Sequence, residues 1–561
     1  MNPATPMKRD LSALSDDTFD VVVVGGGIFG ISLTWEAASR GLSVALVERD
    51  DFCGATSANS YKMVHGGIRY MQHADFPRIR ESCRERSSLL RVAPHLVRPL
   101  PILVPTYRSL MKSRLAMRTA MGIYDVVTAD RNRGISDPIN RIPPGRLMSR
   151  SECLELYPDL EEEGFTGGAL FHDGQMYNPT RLALSFLRSA VDAGAQCANY
   201  VEATGLLREG DRVTGVQVRD RLGDERFDVR GKVVINAAGP WAQHVLGDVR
   251  LNPQPTFSRD AAFVVPEKRI PDVALAVQGA TKDPDAVLSR GERHLFIVPW
   301  RHYTLVGVWH VVWERDPDEV NVPDDDLESF ISEVQGAMPS LNLKLDDVAL
   351  WNAGCVLFGE NSDGATDLSY GKRSWIVDHQ ARDGIDRLLT VIGVRYTTAR
   401  GVAERAIDLA CKQFGLTARA STTETTGVYG SEYSQFGDLT GALQQRAPQL
   451  SEHAGYALCR NYGARFGDVL DASDAIECLP RATTLKAEVD HAIQAEMAVK
   501  LSDIVFRRTD LGTGERPSDA ALEWCADRCA AQLGWDADRR QAELDEVSRR
   551  YRHGRPPRSS S

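Results

Sequence analysis

The strongest constraint is a short run of β-branched residues that stops on glycine. Phe19-Asp20-Val21-Val22-Val23-Val24 has the unbroken hydrophobicity of a parallel strand buried on both faces, and Gly25-Gly26-Gly27-Ile28-Phe29-Gly30 follows it directly. A helical stretch from Ile31 to Arg40, Gly41 and a second strand, Ser43 to Glu48, complete a compact βαβ unit. In a G-x-G-x-x-G turn so framed, Gly25 allows the tight turn and Gly27 lets a pyrophosphate approach the backbone and the helix N-terminus. Gly30 permits close helix–strand packing, and Glu48 can accept ribose hydroxyls. The fingerprint therefore predicts dinucleotide binding. It leaves NAD and FAD open, because both carry ADP.

The 561 residues are enough for two to four domains with a large buried core. A formal charge of −11 argues against general nucleic-acid binding, which needs clustered Lys and Arg, and so points to small-molecule partners. The 10 cysteines contain no C-x-x-C pair, so no zinc ribbon or dithiol motif is written and no metal site is expected; reduced thiols in a cytoplasmic protein are. Residues 1–18 are polar and read as a flexible leader, without the apolar core of a secretion signal. No run approaches the roughly 18 apolar residues of a spanning helix.

Two more glycine-terminated strands lie far along the chain, Lys232 to Gly239 and Leu388 to Gly393, the latter preceding Thr397-Thr398 and a helical stretch to Phe414. Between them the pattern alternates in the β manner, as in Leu295 to Trp300 and Tyr303 to Val308. From about Ser421 the pattern turns helical. The fold class expected is α/β: a Rossmann-like nucleotide-binding domain, an inserted antiparallel sheet and a C-terminal α-helical domain. Residues 19–420 form the core, with nucleotide-binding segments at about 19–105, 175–245 and 370–415 and the inserted sheet mainly at 246–369. Residues 421–545 form the helical cap, and 546–561 a disordered tail.

The polar stretch Thr56 to Tyr70 (Thr-Ser-Ala-Asn-Ser-Tyr-Lys-Met-Val-His-Gly-Gly-Ile-Arg-Tyr), together with Ala237-Ala238-Gly239-Pro240-Trp241 and the segment Gly393 to Arg400, resembles the FAD-dependent glycerol-3-phosphate dehydrogenase family of the D-amino-acid-oxidase-like superfamily. The likeness extends through Arg84 to Pro105 and the C-terminal pieces Arg460-Asn461-Tyr462-Gly463 and Leu501 to Thr509. It implies FAD as the cofactor and oxidation of the secondary alcohol of glycerol 3-phosphate, or a close polar relative, to a ketone. Carried over by residue, Gly25, Gly27, Gly30 and Glu48 would hold the ADP half, Thr56, Ser57 and Lys62 the linker side, and Val201, Ala237 and Gly239 the adenosine edge. Gly393, Thr397 and Thr398 would face the flavin. His65, Arg69 and Tyr70 would lie beside the reacting carbon, and Arg373 would hold the substrate phosphate.

Several positions depart from the family pattern. Val356 stands where relatives carry a second phosphate arginine, Ala262 where they carry a histidine, Gly307-Val308-Trp309-His310 where they read Gly-Thr-Thr-Asp, and Arg395 where they carry lysine. Arg395 and Arg69 are candidates to replace the lost cation, and His310 to supply a replacement base. The alternative is an FAD oxidoreductase or oxidase acting on a different alcohol or amine, in specialised metabolism. The resemblance further implies an electron acceptor such as quinone or oxygen and leaves room for a homodimer. Residues 109–121 form a basic amphipathic stretch, and the resemblance implies that such a surface makes peripheral contact with the inner face of the plasma membrane.

Overall fold

The computed structural model describes residues 5–68, 70, 75–108, 114–160, 164–282, 292–359, 373–473 and 476–551. Strands, numbered along the chain, form two sheets. The first contains β1 (Thr18–Val24), β2 (Val44–Val47), β7 (Gln196–Ala198), β8 (Val201–Glu209), β9 (Arg212–Asp220), β10 (Arg226–Asn236), β16 (Trp375–Asp378) and β17 (Leu388–Ile392), with the order β16-β17-β10-β1-β2-β7 and the β8-β9 ribbon attached to β10. Strands β17, β10, β1, β2 and β7 run parallel. Val21 to Val24 are buried, as an unbroken apolar strand covered on both faces requires.

Helix α1 (Ile28–Ser39) links β1 to β2 and is buried along nearly its whole length, with Trp35 stacked on Phe186 at 4.8 Å. Its neighbours are α4 (Pro179–Asp192) and α6 (Ala399–Phe414). Between α1 and α4 in the chain lie α2 (Phe76–Val92) and α3 (Arg114–Val127), and α5 (Asp324–Ala337) precedes α6.

The second sheet contains β3 (Met63–Val64), β4 (Val97–Tyr107), β5 (Arg146–Met148), β6 (Phe165–Met176), β11 (Thr256–Val265), β12 (Ala274–Lys282), β13 (Glu292–Trp300), β14 (Tyr303–Trp313) and β15 (Leu350–Phe358), in the order β15-β11-β14-β13-β12-β4-β6-β3. It thus takes strands from 63–176 as well as from 256–358. Strand β4 hides in the sequence because Pro99, Pro101 and Pro105 interrupt it, yet it pairs along its length with β6. The segment Thr56–Val64 crosses this sheet. Thr56 Oγ1 donates to Cys355 O of β15 at 3.1 Å, Tyr61 OH donates to Phe296 O of β13 at 2.7 Å, and Met63–Val64 pairs with β6.

Helices α7 (Phe436–Arg446), α8 (Glu452–Tyr462), α9 (Lys486–Ala495), α10 (Asp519–Leu533) and α11 (Ala537–Arg549) complete the chain. A buried charge cluster docks this region on the tip of β2: Arg508, fully buried, donates to Asp51 Oδ1 at 2.7 Å, Arg507 pairs with Asp51 and Asp503, and Asn199 donates to Asp51 at 2.8 Å.

Both chain ends differ from the flexible segments expected. Met7 is buried and its N–H donates to Ala495 O at 3.0 Å, and Leu11–Asp16 is a helix with Leu14 fully buried. Spaced apolar residues hold the leader down. Likewise Tyr551 is buried and donates to Gly512 O at 2.7 Å; the remainder of the expected tail, 552–561, lies outside the described residues.

Candidate functional site

The glycine turn has the shape of a phosphate cradle. Gly25 sits at φ +103°, and a Cβ there would come within 2.7 Å of Ala237 O, where β10 ends beside it. A Cβ at Gly30 would overlap Gly25 O, so Gly30 serves helix–strand packing. Gly27 differs: a Cβ there meets only Ser57 Oγ, at 3.3 Å. That contact is tight, but it is with the end of one side chain rather than with backbone, so position 27 is far less constrained by the fold than 25 or 30 and is the one of the three glycines that leaves room for a ligand. Ser57 Oγ accepts the N–H of Ile28 at 2.9 Å and so stands over the first turn of α1.

Glu48, half-buried at the end of β2, accepts N–H bonds from Gly26 and, at 2.9 Å, from Asp50. Burial outweighs those donors and pushes its carboxyl up to about 7. Val201 is buried in the core, and its N–H donates to Glu48 O at 2.8 Å, so it supports the Glu48 backbone. Ala237 N–H donates to Val24 O at 2.8 Å, and Gly239 at φ +55° has open space beside it. An ADP half with a ribose beside Glu48 fits this donor set.

Lys62 is buried at φ +62°, with Nζ 4.7 Å above the Trp300 ring and donating to Ser60 O at 3.3 Å. Burial, with the Arg301 and Arg550 cations nearby, pushes its ammonium down to about 7. Thr56 packs on β15, where a Cβ on Gly354 would come within 2.7 Å of Thr56 Cα.

At the end of β17, Gly393 faces the Phe29 ring so closely that a Cβ would overlap it. Phe29 belongs to the glycine turn, so the two ends of the nucleotide site interlock. Thr397 and Thr398 are buried, and Thr398 precedes α6 with its Oγ1 donating to Arg395 O at 3.2 Å rather than capping the helix.

Helix α2 ties this end to the loop carrying His65 and Tyr70. Arg395 donates to Tyr70 OH at 3.2 Å and Ser82 Oγ at 2.8 Å, and pairs with Glu81 at 3.2 Å. Tyr70 is buried, with the Arg78 guanidinium 4.2 Å above its ring and the His65 ring edge-on at 6.0 Å. One turn along, Arg400 pairs with Glu85. Next to it the buried Arg86 pairs with Asp173 at 2.7 Å, and Asp173 accepts the Gly66 N–H at 2.6 Å while Tyr124 OH donates to Gly66 O at 3.2 Å. A side chain at Gly66 would overlap both Arg86 and Tyr124. Sequence reasoning missed Phe29, Glu81, Ser82, Glu85, Arg86, Tyr124 and Asp173; the available signal was four polar residues on one face of a helix whose apolar residues share that face.

Arg373 is exposed just before β16, and Val394 N–H donates to Ser374 Oγ at 3.3 Å. Arg69 lies outside the described residues. Apart from Arg395, the substituted positions converge on three neighbouring strands. Ala262 pairs with Gly307, Asp260 with both His310 and Gly354, and Ser258 with Val356. Trp309 packs the opposite way, stacked on Phe330 of α5 at 5.2 Å.

Comparison with known proteins agrees with this arrangement. A model described as FAD dependent oxidoreductase matches residues 20–385, and one described as the C-terminal domain of alpha-glycerophosphate oxidase matches 421–540. The chain is 32% identical to a glycerol-3-phosphate dehydrogenase of Synechocystis sp. over 516 residues, covering 89% of this chain and 90% of that one. It is 31% identical to one of Mycobacterium leprae, covering 93% and 86%. The solved structure of the Bacillus halodurans glycerol-3-phosphate dehydrogenase complexed with FAD superposes with a TM-score of 0.74 at 20% identity, over 98% of both chains.

Proposed function

We propose that this chain, which belongs to the glycerol-3-phosphate dehydrogenase family of FAD-dependent oxidoreductases, oxidises the secondary alcohol of glycerol 3-phosphate, or of a closely related polar substrate, to a ketone. The observation that carries the reading is the pair of Gly27, where a Cβ would meet only the Ser57 hydroxyl, and Glu48, presented at the tip of β2. When bound, FAD supplies the acceptor for the two electrons of the oxidised C–H bond.

The residues of the chain would then bind and orient. Gly25, Gly27 and the first turn of α1 receive the pyrophosphate, Glu48 accepts ribose hydroxyls, and Gly393 to Thr398 line the flavin end. Tyr70, fixed by Arg395 and Arg78, orients the carbinol, and His65 stands beside it. Arg373, exposed just before β16, and Arg69 would draw the phosphate. Arg395 has an acid partner in Glu81, so its charge is partly spent within the protein. Anaerobic bleaching of the flavin by glycerol 3-phosphate, followed by addition of quinone or air, tests substrate and acceptor together; a flavin left yellow by that substrate would remove it.

A second reading, another alcohol or amine as substrate, draws on Val356 and Asp260. They set an apolar and an acidic side chain on neighbouring strands, a poor seat for a phosphate.

No helix among the described residues is long and apolar enough to cross a membrane. Of the basic stretch 109–121, residues 109–113 lie outside the described residues; beside its described part, Phe76 at the start of α2 and Ile123 and Val126 of α3 are exposed, with Val126 at 78%. They support peripheral attachment at that corner, tested by co-sedimentation with anionic vesicles before and after Ile123→Ser and Val126→Ser. Sedimentation velocity tests the homodimer.

A further inference from the structure

We propose that Asp260 and His310 act as a carboxylate–imidazole pair on the substrate-facing surface of the second sheet, with His310 taking the hydroxyl proton of the alcohol and Asp260 positioning its ring. The inference rests on the FAD-linked alcohol oxidation proposed above.

Strand β14 pairs with β11 antiparallel, with Ala262 opposite Gly307 but Ala261 opposite Trp309, so Val308 is an extra residue. Regular pairing would have set His310 opposite Arg259. The face of Arg259 is the one covered by α5: its guanidinium donates to Asn321 O at 2.9 Å and pairs with Asp326 at 2.8 Å. The bulge moves every later side chain of β14 to the other face, which puts His310 opposite Asp260.

That other face looks toward the Thr56–Tyr61 segment. A Cβ on Gly307 would overlap the Tyr61 ring, and one on Gly354, which pairs with Asp260 from the far side, would meet Thr56. Asp260 thus has His310 on one flank and, past Gly354, the segment leading from the dinucleotide turn on the other. Its orientation is fixed on this face, since Ser258 Oγ donates to Asp260 Oδ1 at 2.7 Å. Directly opposed residues of an antiparallel pair hold their Cβ atoms about 4.5–5.5 Å apart, within reach of a carboxylate and an imidazole. His310 and Asp260 are both half-buried, so the pair keeps access to a ligand while being partly withdrawn from water. His65, by comparison, packs edge-on against Tyr70.

The chemistry balances. The carbinol hydrogen would leave with the C–H electron pair as a hydride, for which bound FAD would be the acceptor, while the O–H proton passes to the ring nitrogen of His310 that faces the substrate and the C–O bond becomes a carbonyl. The other ring nitrogen stays protonated toward Asp260, which fixes the tautomer able to accept a proton. The proton then leaves His310 to solvent; bound FAD would supply the two-electron acceptor, with quinone or oxygen as the final oxidant.

Two measurements on the FAD-loaded protein test this. In the first, nitrogen-15 spectra of histidine-labelled protein, with His310 assigned by its loss in His310→Gln, should show its ring resonances moved by Asp260→Asn and restored by Asp260→Glu. Unmoved resonances overturn the pairing whatever the substrate is. In the second, stopped-flow bleaching by glycerol 3-phosphate should slow by about 100-fold or more in His310→Ala, with partial recovery on adding imidazole, and by about tenfold or more in Asp260→Asn, at unchanged FAD content. Rates within threefold of the parent in His310→Ala overturn the base assignment. If the parent protein itself is not bleached by glycerol 3-phosphate or by a panel of related alcohols, the functional reading fails, and the nitrogen spectra still decide the pairing.

Discussion

Replacing Asp51 by asparagine should loosen the C-terminal region from the nucleotide-binding sheet by an amount the structure lets one work out. Asp51 is 1% exposed and is the shared acid for Arg507 and Arg508; once its charge is removed, Arg507 retains Asp503, whereas the fully buried Arg508 retains the Glu496 carbonyl, accepting from Nε at 2.9 Å. Burial by itself would raise the Asp51 carboxyl, but the Arg508 and Arg507 guanidiniums hold it below the usual carboxylate range. Stranding one buried cation in this way costs about 3–5 kcal/mol. If that cost falls on the docked state, opening of Leu501–Thr509 becomes roughly two to nearly four orders of magnitude more frequent. Hydrogen exchange of peptides covering 496–511, followed by mass spectrometry, reads this directly. Because the folded carboxyl is lowered, its stabilisation is present above the ordinary carboxylate value and is lost as pH falls through the lowered one, so parent and variant should converge in acid. Exchange less than tenfold faster in the variant at neutral pH would mean that Asp51 does not hold Arg508 in place.

Three further outcomes follow from the site. Gly27→Val should give folded protein that does not retain FAD, whereas Gly30→Val should fail to fold because its side chain overlaps Gly25 O; circular dichroism with flavin content separates the two, and a yellow Gly27→Val protein would contradict the cradle. With Glu48 pushed up to about 7, ionisation favours ribose binding, so FAD uptake by deflavinated protein should tighten as pH rises to about 7 and then level; the deflavinated protein should lose this group's stabilisation over the same rise, and Glu48→Gln should flatten both curves. Asp173→Asn, which leaves Arg86 buried without its acid and weakens the hold on Gly66, should cost about 3–5 kcal/mol of stability and slow flavin bleaching, measured by thermal unfolding and stopped flow.

The parts that could be read from the sequence were those fixed by neighbours along the chain. The βαβ unit and its glycines obey sterics acting over a few residues, so Gly25, Gly27, Gly30 and Glu48 declare themselves. Strand β4 did not, because its prolines remove ladder donors and only pairing with β6, some 60 residues on, reveals it as a strand. Arg86 and Glu85 look like surface charges on a polar helix, and are buried because Asp173 and Arg400 neutralise them from distant segments. The partnership of Arg395 with Tyr70 spans 325 positions. The side on which His310 emerges depends on a single extra residue in β14, and no periodicity in the sequence records that register shift.

The central claim is that the Gly25–Gly30 turn and Glu48 hold FAD. The most direct measurement is the visible absorption spectrum of the purified protein, with the released flavin quantified against protein concentration. The purified protein should show flavin absorption and FAD equimolar with the chain, both lost in Gly27→Val. Folded protein that stays colourless after incubation with FAD would contradict it.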